Sequence, residues 1–181
     1  MGLPVIILDR DGVINFDSPS YIKTPEEWVP IAGSLEAIAR LKAAGYPVAV
    51  ATNQSGISRG YFSLETLEEI HRKMEDCLAL LGCKLDRIQF CPHGPEDQCD
   101  CRKPRTGMYM AIAQEMGVAP NDCIVIGDSM RDLQAGWSVG ANVRLVLTGN
   151  GQKTLAQLKS SDDVEVFSDL SHAVQALLSA A

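Results

Sequence analysis

Short apolar runs alternate with longer segments of helical periodicity, and this order constrains the fold more than any other feature of the sequence. Five runs of aliphatic, often β-branched residues lie at 5–8, 47–52, 88–91, 123–126 and 143–147, and a sixth candidate lies at 164–167. Near-continuous apolarity is typical of strands that are covered on both faces, as in parallel sheets. The pattern therefore predicts a parallel sheet between two layers of helices.

Five helical patterns separate or follow these runs. Ser34 and Ser63 are predicted to cap the first two helices, and Gly45 and Gly82 follow the C-terminal ends of those helices. Three further patterns cover residues 108–116, 130–139 and 170–178. Helices that connect parallel strands form right-handed βαβ units. We expect an α/β fold, a three-layer doubly wound sandwich, with residues 1–181 forming a single domain.

The charge balance excludes two classes of partner. The chain of 181 residues has 16 Lys and Arg against 23 Asp and Glu, a formal net charge of −7. Nucleic acids and anionic membranes both need a basic face, so neither partner is expected. No apolar run approaches the ~20 residues that span a bilayer, and the N-terminal run lacks the basic segment of a signal peptide.

These features favour a cytoplasmic protein, and nothing in the sequence requires assembly, so a monomer is expected. In a reducing compartment the six cysteines are expected to be thiols or metal ligands rather than disulfides.

Two carboxylates, Asp9 and Asp11, directly follow the first predicted strand, and Gly12 comes next. Residues at i and i+2 of an extended backbone point to the same side. Such a pair suits a metal site, or a nucleophile with its acid/base partner. An ordinary acidic loop, in which one Asp caps the next turn, is the alternative interpretation.

Three other polar residues lie at or after the ends of later strands or before a helix: Thr52, Lys103 and Asp128. Taken singly, Thr52 and Asp128 could be helix caps and Lys103 a solvated charge. Ligands of open α/β sheets bind at the carboxyl ends of the strands. The occurrence of all three together with the carboxylate pair therefore favours one shared site.

The order of these residues resembles the haloacid dehalogenase superfamily of phosphotransfer enzymes. The motifs that carry the resemblance are Asp9-x-Asp11-Gly12, Thr52, Lys103 and Gly127-Asp128-x-x-x-Asp132. The resemblance implies that Asp9 is the nucleophile, which forms an aspartyl-phosphate, and a ligand of catalytic Mg²⁺. It also implies that Asp11 is the general acid and base and binds Mg²⁺ through its carbonyl, and that Asp128 completes the magnesium site. Thr52 and Lys103 are then expected to stabilise the transferring phosphoryl group.

The second carboxylate narrows the reaction. In this superfamily the dehalogenases do not need a proton donor two residues after the nucleophile, and the ATPases replace it, so Asp11 implies a phosphatase or a phosphomutase. About twenty residues separate Gly12 from the helix at Ser34, too few for the helical cap domain of the mutases. A hydrolase without a large cap domain is expected, with Asp132 behind the ligands of the ion.

A cluster of cysteines and one histidine precedes Lys103, and its members are Cys91, His93, Cys99 and Cys101. Three thiols and one imidazole form a complete tetrahedral set for Zn²⁺, which leaves no open position and indicates a structural ion. Redox-active thiols are the alternative. The residues around the cluster are polar, which argues against cysteines packed in a core. We expect zinc to order the loop 91–104 and, with it, Lys103.

With this cluster, the motifs resemble one subgroup of the superfamily, which contains heptose bisphosphate phosphatases and, as near relatives, histidinol-phosphate phosphatase domains. The resemblance implies removal of the 7-phosphate of D-glycero-D-manno-heptose 1,7-bisphosphate, in the synthesis of nucleotide-activated heptose for lipopolysaccharide or glycoprotein. It implies substrate contacts at Asp17, Ser20, Thr52, Asn53, Gln54, Ser55, Arg102 and Lys103.

Two alternatives to this substrate and function stay open. The same chemistry could act on histidinol phosphate or another small sugar phosphate. A non-catalytic, zinc-stabilised binding protein would be expected to have lost Asp9, Asp11 or Lys103, and all three are present.

A bisphosphate substrate also needs a site for the phosphate that is not cleaved. Arg102 is the first candidate for this site and Arg59 the second, because Arg binds phosphate in a bidentate manner.

Overall fold

The computed structural model describes residues 2–180 and contains one six-stranded sheet. The strands are β1 (Ile6–Leu8), β2 (Val48–Asn53), β3 (Arg87–Cys91), β4 (Ile124–Gly127), β5 (Asn142–Val146) and β6 (Glu165–Phe167). The helices are α1 (Ser34–Ala43), α2 (Leu64–Leu80), α3 (Gly107–Met116), α4 (Met130–Ser138), α5 (Gly151–Leu155) and α6 (Leu170–Ala180). All strand pairs are parallel, and the order across the sheet is β3-β2-β1-β4-β5-β6. The expected doubly wound α/β fold is confirmed.

The two faces of the sheet pack against different helices, which explains why its strands are apolar on both sides. Ile6 and Leu8 of β1 belong to a core cluster with residues of α1, α2 and α6. Ile7, between them, faces a second cluster with residues of α3 and α4. All three side chains are at most 1% exposed. Alternation along one strand therefore contributes to both cores.

The topology identifies one edge of the sheet as the place for a ligand. The chain runs from β1 outward to β3 on one side and then returns to β4 on the other side of β1. The carboxyl ends of β1 and β4 thus form the switch point at which open α/β sheets leave a crevice. Between β1 and α1 the described chain contains one 3-10 turn, Pro25–Glu27, and no cap domain covers this edge.

The ends of the helices test the predicted caps. Ser63 caps α2 as predicted, since its hydroxyl accepts a hydrogen bond from the Thr66 amide at 3.2 Å. The prediction that Ser34 caps α1 is wrong. Gly33 occupies the cap position with φ +81°, and the Ser34 hydroxyl instead donates to the Ile14 carbonyl at 2.6 Å. Ser34 therefore joins α1 to the loop that follows β1.

One helix was not predicted. The five residues of α5 follow β5 after a short loop, and five residues are too few to establish a helical period. None of the helices in residues 2–180 has the length and apolarity needed to cross a membrane.

Candidate active site

An open cleft of about 340 Å³ lies at the carboxyl edge of the sheet. Asp9 and Asp11 enter it from the end of β1, Asn53 from the end of β2 and Asp128 from the end of β4, with Lys103 from the loop before α3. Four separate stretches of the sequence therefore meet in one place, as expected for the carboxyl ends of parallel strands.

Three carboxylates are clustered at this edge of the sheet: Asp9 and Asp128 line the cleft, and Asp132 is fully buried beside them. Oxygen atoms of Asp9, Asp128 and Asp132 all lie within 4.8 Å of one another. Burial and the nearby Asp132 raise the pKa of Asp9 well above its usual range, and the same two causes raise the pKa of Asp128 to about 7. The three carboxylates carry three formal negative charges and the ammonium of Lys103 carries one positive charge, so the cluster has excess negative charge. Oxygen donors with excess negative charge fit a hard divalent cation such as Mg²⁺.

Lys103 is enclosed by acceptors on three sides. Its Nζ atom lies 3.0 Å from Asp9 Oδ1 and 2.7 Å from Asp132 Oδ1, and it donates to the Ala51 carbonyl at 2.6 Å. The side chain is 2% exposed. Burial opposes the charged form, but the carboxylates of Asp132 and Asp9 outweigh it and raise the pKa of Lys103. The ammonium is therefore charged and held in one orientation beside Asp9.

The backbone of Lys103 is fixed by the amide of Asn53. Asn53 Oδ1 accepts from the Lys103 amide at 3.0 Å, and Asn53 Nδ2 donates to the Lys103 carbonyl at 3.1 Å. Both polar atoms of this side chain are thus used to join the end of β2 to the loop before α3. Asn53 was expected to contact substrate, and its hydrogen bonds place it as a support for Lys103 that also lines the cleft.

The two carboxylate oxygens of Asp132 have different partners. Its Oδ2 atom accepts from the Ser129 amide at 3.0 Å and the Ser129 hydroxyl at 2.6 Å, which forms a capping box at the start of α4. Its Oδ1 atom pairs with Lys103. Because both oxygens already have partners, the structure is consistent with the expectation that Asp132 supports the ligands rather than replacing one.

Asp128 sits in a space that two glycines leave open. A Cβ atom on Gly12 or Gly149 would overlap the Asp128 carboxylate, and both glycines have positive φ, +86° and +56°. The amide of Asn150 donates to Asp128 Oδ2 at 2.7 Å. The loops after β1 and β5 therefore both help to position this carboxylate.

The carboxylate of Asp11 is surrounded by donors. Asn15 Nδ2 donates to Oδ1 at 2.9 Å, Gln54 Nε2 donates to Oδ2 at 2.8 Å, and the Arg10 guanidinium contacts both oxygens. Burial raises the pKa of Asp11, but Arg10 and these amides outweigh burial and hold the pKa below its usual range. In the free protein Asp11 is therefore ionised at neutral pH.

The remaining predicted contact residues do not all reach the cleft. Asp17, Gln54, Ser55 and Arg102 line it. Among the described residues, Thr52 and Ser20 do not line the cleft. Thr52 is 1% exposed, and its hydroxyl accepts a hydrogen bond from Gln54 Nε2 at 2.8 Å. Ser20 lines a separate shallow depression.

Arg131 is a residue of this cleft that sequence reasoning missed. It lines the cleft together with Arg59 and Arg102. Burial and the nearby charges of Arg131 and Arg59 lower the pKa of Arg102, which indicates that three guanidinium groups share one region. Its position three residues after Asp128, in the first turn of α4, is the signal that could have identified it.

The predicted zinc residues converge. Cys91 Sγ lies 3.7 Å from Cys99 Sγ and 3.0 Å from Cys101 Sγ, and His93 Nδ1 lies 3.3 Å from Cys101 Sγ. Sulfur atoms about 3.8 Å apart follow from a tetrahedral site with ~2.3 Å Zn–S bonds. Three sulfurs and one nitrogen at these separations, with no disulfide, fit zinc. The Arg102 guanidinium donates to the His93 carbonyl at 3.1 Å, which ties Arg102 to the cluster.

Comparison with known proteins gives consistent relatives. Residues 100–173 match a family model described as HAD-hydrolase-like. The chain is 54% identical over 153 residues to D-glycero-beta-D-manno-heptose-1,7-bisphosphate 7-phosphatase of Pseudomonas putida, covering 84% of this chain and 87% of that protein. It is 49% identical over 176 residues to the protein of the same name from Bordetella bronchiseptica, covering 97% and 98%.

Solved structures agree with these relatives. The crystal structure of D,D-heptose 1,7-bisphosphate phosphatase from B. bronchiseptica, complexed with magnesium and phosphate, has a TM-score of 0.95 at 49% identity and covers 99% of this chain and 100% of that one. The crystal structure of D,D-heptose 1,7-bisphosphate phosphatase from Burkholderia thailandensis has a TM-score of 0.77 at 44% identity and covers 97% of this chain and 99% of that one.

Proposed function

Because the chain belongs to the family of D-glycero-beta-D-manno-heptose-1,7-bisphosphate 7-phosphatases, we propose that it removes the 7-phosphate of D-glycero-D-manno-heptose 1,7-bisphosphate. The observation that carries the proposal is the convergence of Asp9, Asp11, Asp128 and Lys103 in one cleft. These groups supply a nucleophile, a proton carrier, a cation ligand and a fixed positive charge.

Asp9 and Asp128, with the backbone carbonyl of Asp11, are the residues that would hold Mg²⁺. A carboxylate that approaches a phosphate meets repulsion of about 4 kcal/mol per pair of unit charges at ~4 Å and an effective dielectric of ~20. The bound cation supplies positive charge that offsets this repulsion. Lys103, 3.0 Å from Asp9, adds a second positive charge on the protein side.

In the first step, an oxygen of Asp9 attacks phosphorus and the bond from phosphorus to the C7 oxygen breaks. The electron pair of that bond stays on the leaving oxygen, which takes a proton from the carboxylic acid of Asp11. The phosphate dianion of the substrate, placed near Asp11, raises the pKa of this carboxyl and favours the protonated form that the step requires.

In the second step, the ionised Asp11 takes a proton from water, and the oxygen of that water attacks phosphorus. The bond between phosphorus and the Asp9 oxygen breaks, which releases inorganic phosphate and restores Asp9 and the protonated Asp11. The donors around Asp11 keep the pKa of its carboxyl low, which suits this base.

A bisphosphate needs a second anion site, and the basic end of the cleft supplies it. Arg102, Arg59 and Arg131 line the same cleft as the acidic cluster. We assign the uncleaved phosphate to this region, since guanidinium groups bind phosphate through paired hydrogen bonds. Zn²⁺ held by the Cys and His cluster would fix Arg102 through the His93 carbonyl.

The test is a comparison of kcat/KM for D-glycero-D-manno-heptose 1,7-bisphosphate, fructose 1,6-bisphosphate and histidinol phosphate. We expect the heptose bisphosphate to have the highest value, with release of one phosphate per molecule. A preference for histidinol phosphate would overturn the substrate and leave the chemistry intact. If kcat/KM of the Arg102→Ala variant no longer favours sugar bisphosphates over sugar monophosphates, the result supports the second anion site.

The same proposal covers the setting of the enzyme. We propose a single-domain monomer in the cytoplasm, with a small phosphorylated sugar as partner and no nucleic acid or membrane. The proposed nucleophile, proton carrier, cation ligand and ammonium all line one cleft of a single chain, and this supports the monomer. Three clustered thiols suit a reducing compartment. Analytical ultracentrifugation tests the monomer directly, and a dimer at enzymatic concentrations would contradict it.

A further inference from the structure

A buried arginine connects the carboxylate of Asp11 to a histidine on α2. Arg10 is 1% exposed, and its Nη2 atom donates to Asp11 Oδ1 at 2.8 Å and Oδ2 at 3.1 Å. Its Nε atom also donates to Asp11 Oδ1, at 3.1 Å. At the other side of the guanidinium, Nη1 lies 3.3 Å from Nε2 of His71. Three side chains therefore form one continuous chain that ends in the cleft.

The direction of the Arg10–His71 hydrogen bond follows from the chemistry of the two groups. A guanidinium carries only donors, so His71 Nε2 must be the acceptor and the ring proton must sit on Nδ1. Burial and the charge of Arg10 lower the pKa of His71 to about 3, so the imidazole is neutral at physiological pH. His71 therefore acts here as a fixed acceptor.

His71 is a buried residue of α2. It lies on the buried face of α2, between Ile70 and Met74, which are fully buried. Its ring centroid is 6.1 Å from that of Phe90 on β3. An apolar residue is the usual occupant of such a position, because a buried polar group costs free energy unless it has a hydrogen-bond partner. The partner of His71 is Arg10.

We propose that His71 is a positioning residue for Asp11 and acts through Arg10. An arginine side chain has several rotatable bonds, and a contact at only one side of its guanidinium leaves it free to turn. The acceptor of His71 fixes the far side of the guanidinium, and the bidentate contact then fixes the plane of the Asp11 carboxyl. The inference rests on the proposed function, since it concerns the group that moves protons in that reaction.

The experiment compares two substrates that differ in the need for a proton. The alkoxide from a sugar C7 must be protonated as it leaves, whereas 4-nitrophenolate is a weak base that leaves without a proton. The ratio kcat/KM covers only the steps up to the departure of the leaving group, so the later hydrolysis of the intermediate does not enter it. A defect in the position of Asp11 should therefore lower kcat/KM for the heptose bisphosphate selectively.

We expect His71→Phe, which removes the acceptor and keeps a ring, to lower kcat/KM for heptose 1,7-bisphosphate by about tenfold, out of the ~10²–10⁴ that general acid catalysis contributes. For 4-nitrophenyl phosphate the loss should stay below about twofold. His71→Gln keeps an acceptor and should restore the selectivity of the wild type. Arg10→Lys keeps the charge, loses the bidentate contact and should show the same selective loss as His71→Phe.

Ile70→Val is the matched control, since it perturbs the same buried face of α2 and its aliphatic side chain cannot form a hydrogen bond with Arg10. It should change kcat/KM for both substrates by the same factor. The inference is overturned if His71→Phe and Arg10→Lys lower kcat/KM by the same factor for both substrates while Asp11→Asn lowers it selectively for the heptose bisphosphate. If Asp11→Asn also shows no selectivity, or the wild type hydrolyses neither substrate, the proposed function itself fails. Should His71→Phe not fold, the comparison of Arg10→Lys with His71→Gln decides in the same way.

Discussion

Replacement of Lys103 by Met should lower both stability and catalytic rate, because Asp9 and Asp132 would lose the buried ammonium that pairs with both of them. The Nζ atom lies 3.0 Å from Asp9 and 2.7 Å from Asp132. At an effective dielectric of ~20, each contact corresponds to about 5–6 kcal/mol of Coulomb attraction before desolvation is subtracted. Removal of one partner of a buried ion pair costs about 3–5 kcal/mol, and we expect a loss of this size in the free energy of unfolding at pH 7.5.

The assay is urea unfolding, followed by the fluorescence of the buried Trp28, together with steady-state kinetics. Saturating Mg²⁺ should recover part of the lost stability in Lys103→Met, since the cation supplies positive charge to the same oxygens. The value of kcat should fall by about 10²–10³, as for removal of a preorganised electrostatic group. Lys153→Met, at an exposed lysine, is the control and should leave both quantities unchanged. Wild-type stability of Lys103→Met without Mg²⁺ would refute the reasoning.

Three further predictions concern the zinc cluster, His71 and Gly149. Removal of zinc by a chelator should lower kcat/KM by freeing the loop that carries Arg102 and Lys103, and unchanged kinetics after verified zinc loss would refute this coupling. The pKa of His71 is about 3 in the folded protein and ~6.5 in an unfolded chain, so the unfolded state takes up a proton as the pH falls. Between pH 7 and pH 5 this linkage should lower the free energy of unfolding by about 2 kcal/mol, and His71→Phe should lack that contribution in urea titrations across pH. Gly149→Ala should displace the carboxylate of Asp128 and weaken Mg²⁺ binding measured by calorimetry, whereas Gly60→Ala, where a Cβ meets nothing within 4 Å, should not.

The sequence predicted the sheet because both of its faces are buried. In a chain with regularly spaced helices, short continuous aliphatic runs such as 5–8 and 123–126 are best explained as buried strands. The structure has strands there within one residue of the predicted bounds. Helix ends were less certain. Ser63 was predicted as a cap from local spacing, which is sufficient for a local hydrogen bond. The hydroxyl of Ser34 makes a contact with Ile14, and a long-range contact has no signal in the local sequence.

The residues of the site that belong to sequence motifs could be predicted. Asp9, Asp11, Lys103 and Asp128 converge as expected because each follows a strand or lies in a loop at the same edge. The buried position of Thr52 and the double contact of Asn53 with Lys103 depend on side-chain packing that motifs do not encode.

The link between Arg10 and His71 shows where sequence reasoning ended. The two residues are 61 positions apart, and the only local signal was a histidine at a core position of an amphipathic helix, beside Ile70. A histidine in such a place needs a partner. Its partner could be identified only when the fold brought α2 against the loop after β1.

The proposed mechanism requires that Asp9 becomes phosphorylated. The most direct measurement is reductive trapping with borohydride, which converts an aspartyl-phosphate to homoserine, followed by mass spectrometry of the peptide that contains residue 9. Asp11→Asn should be used with 4-nitrophenyl phosphate, because formation of the intermediate then needs no acid and its hydrolysis lacks a base. We predict a burst of one 4-nitrophenol per enzyme and homoserine at position 9, with neither in Asp9→Asn combined with Asp11→Asn. A burst with an unmodified Asp9, or with the label on another residue, would contradict the covalent mechanism.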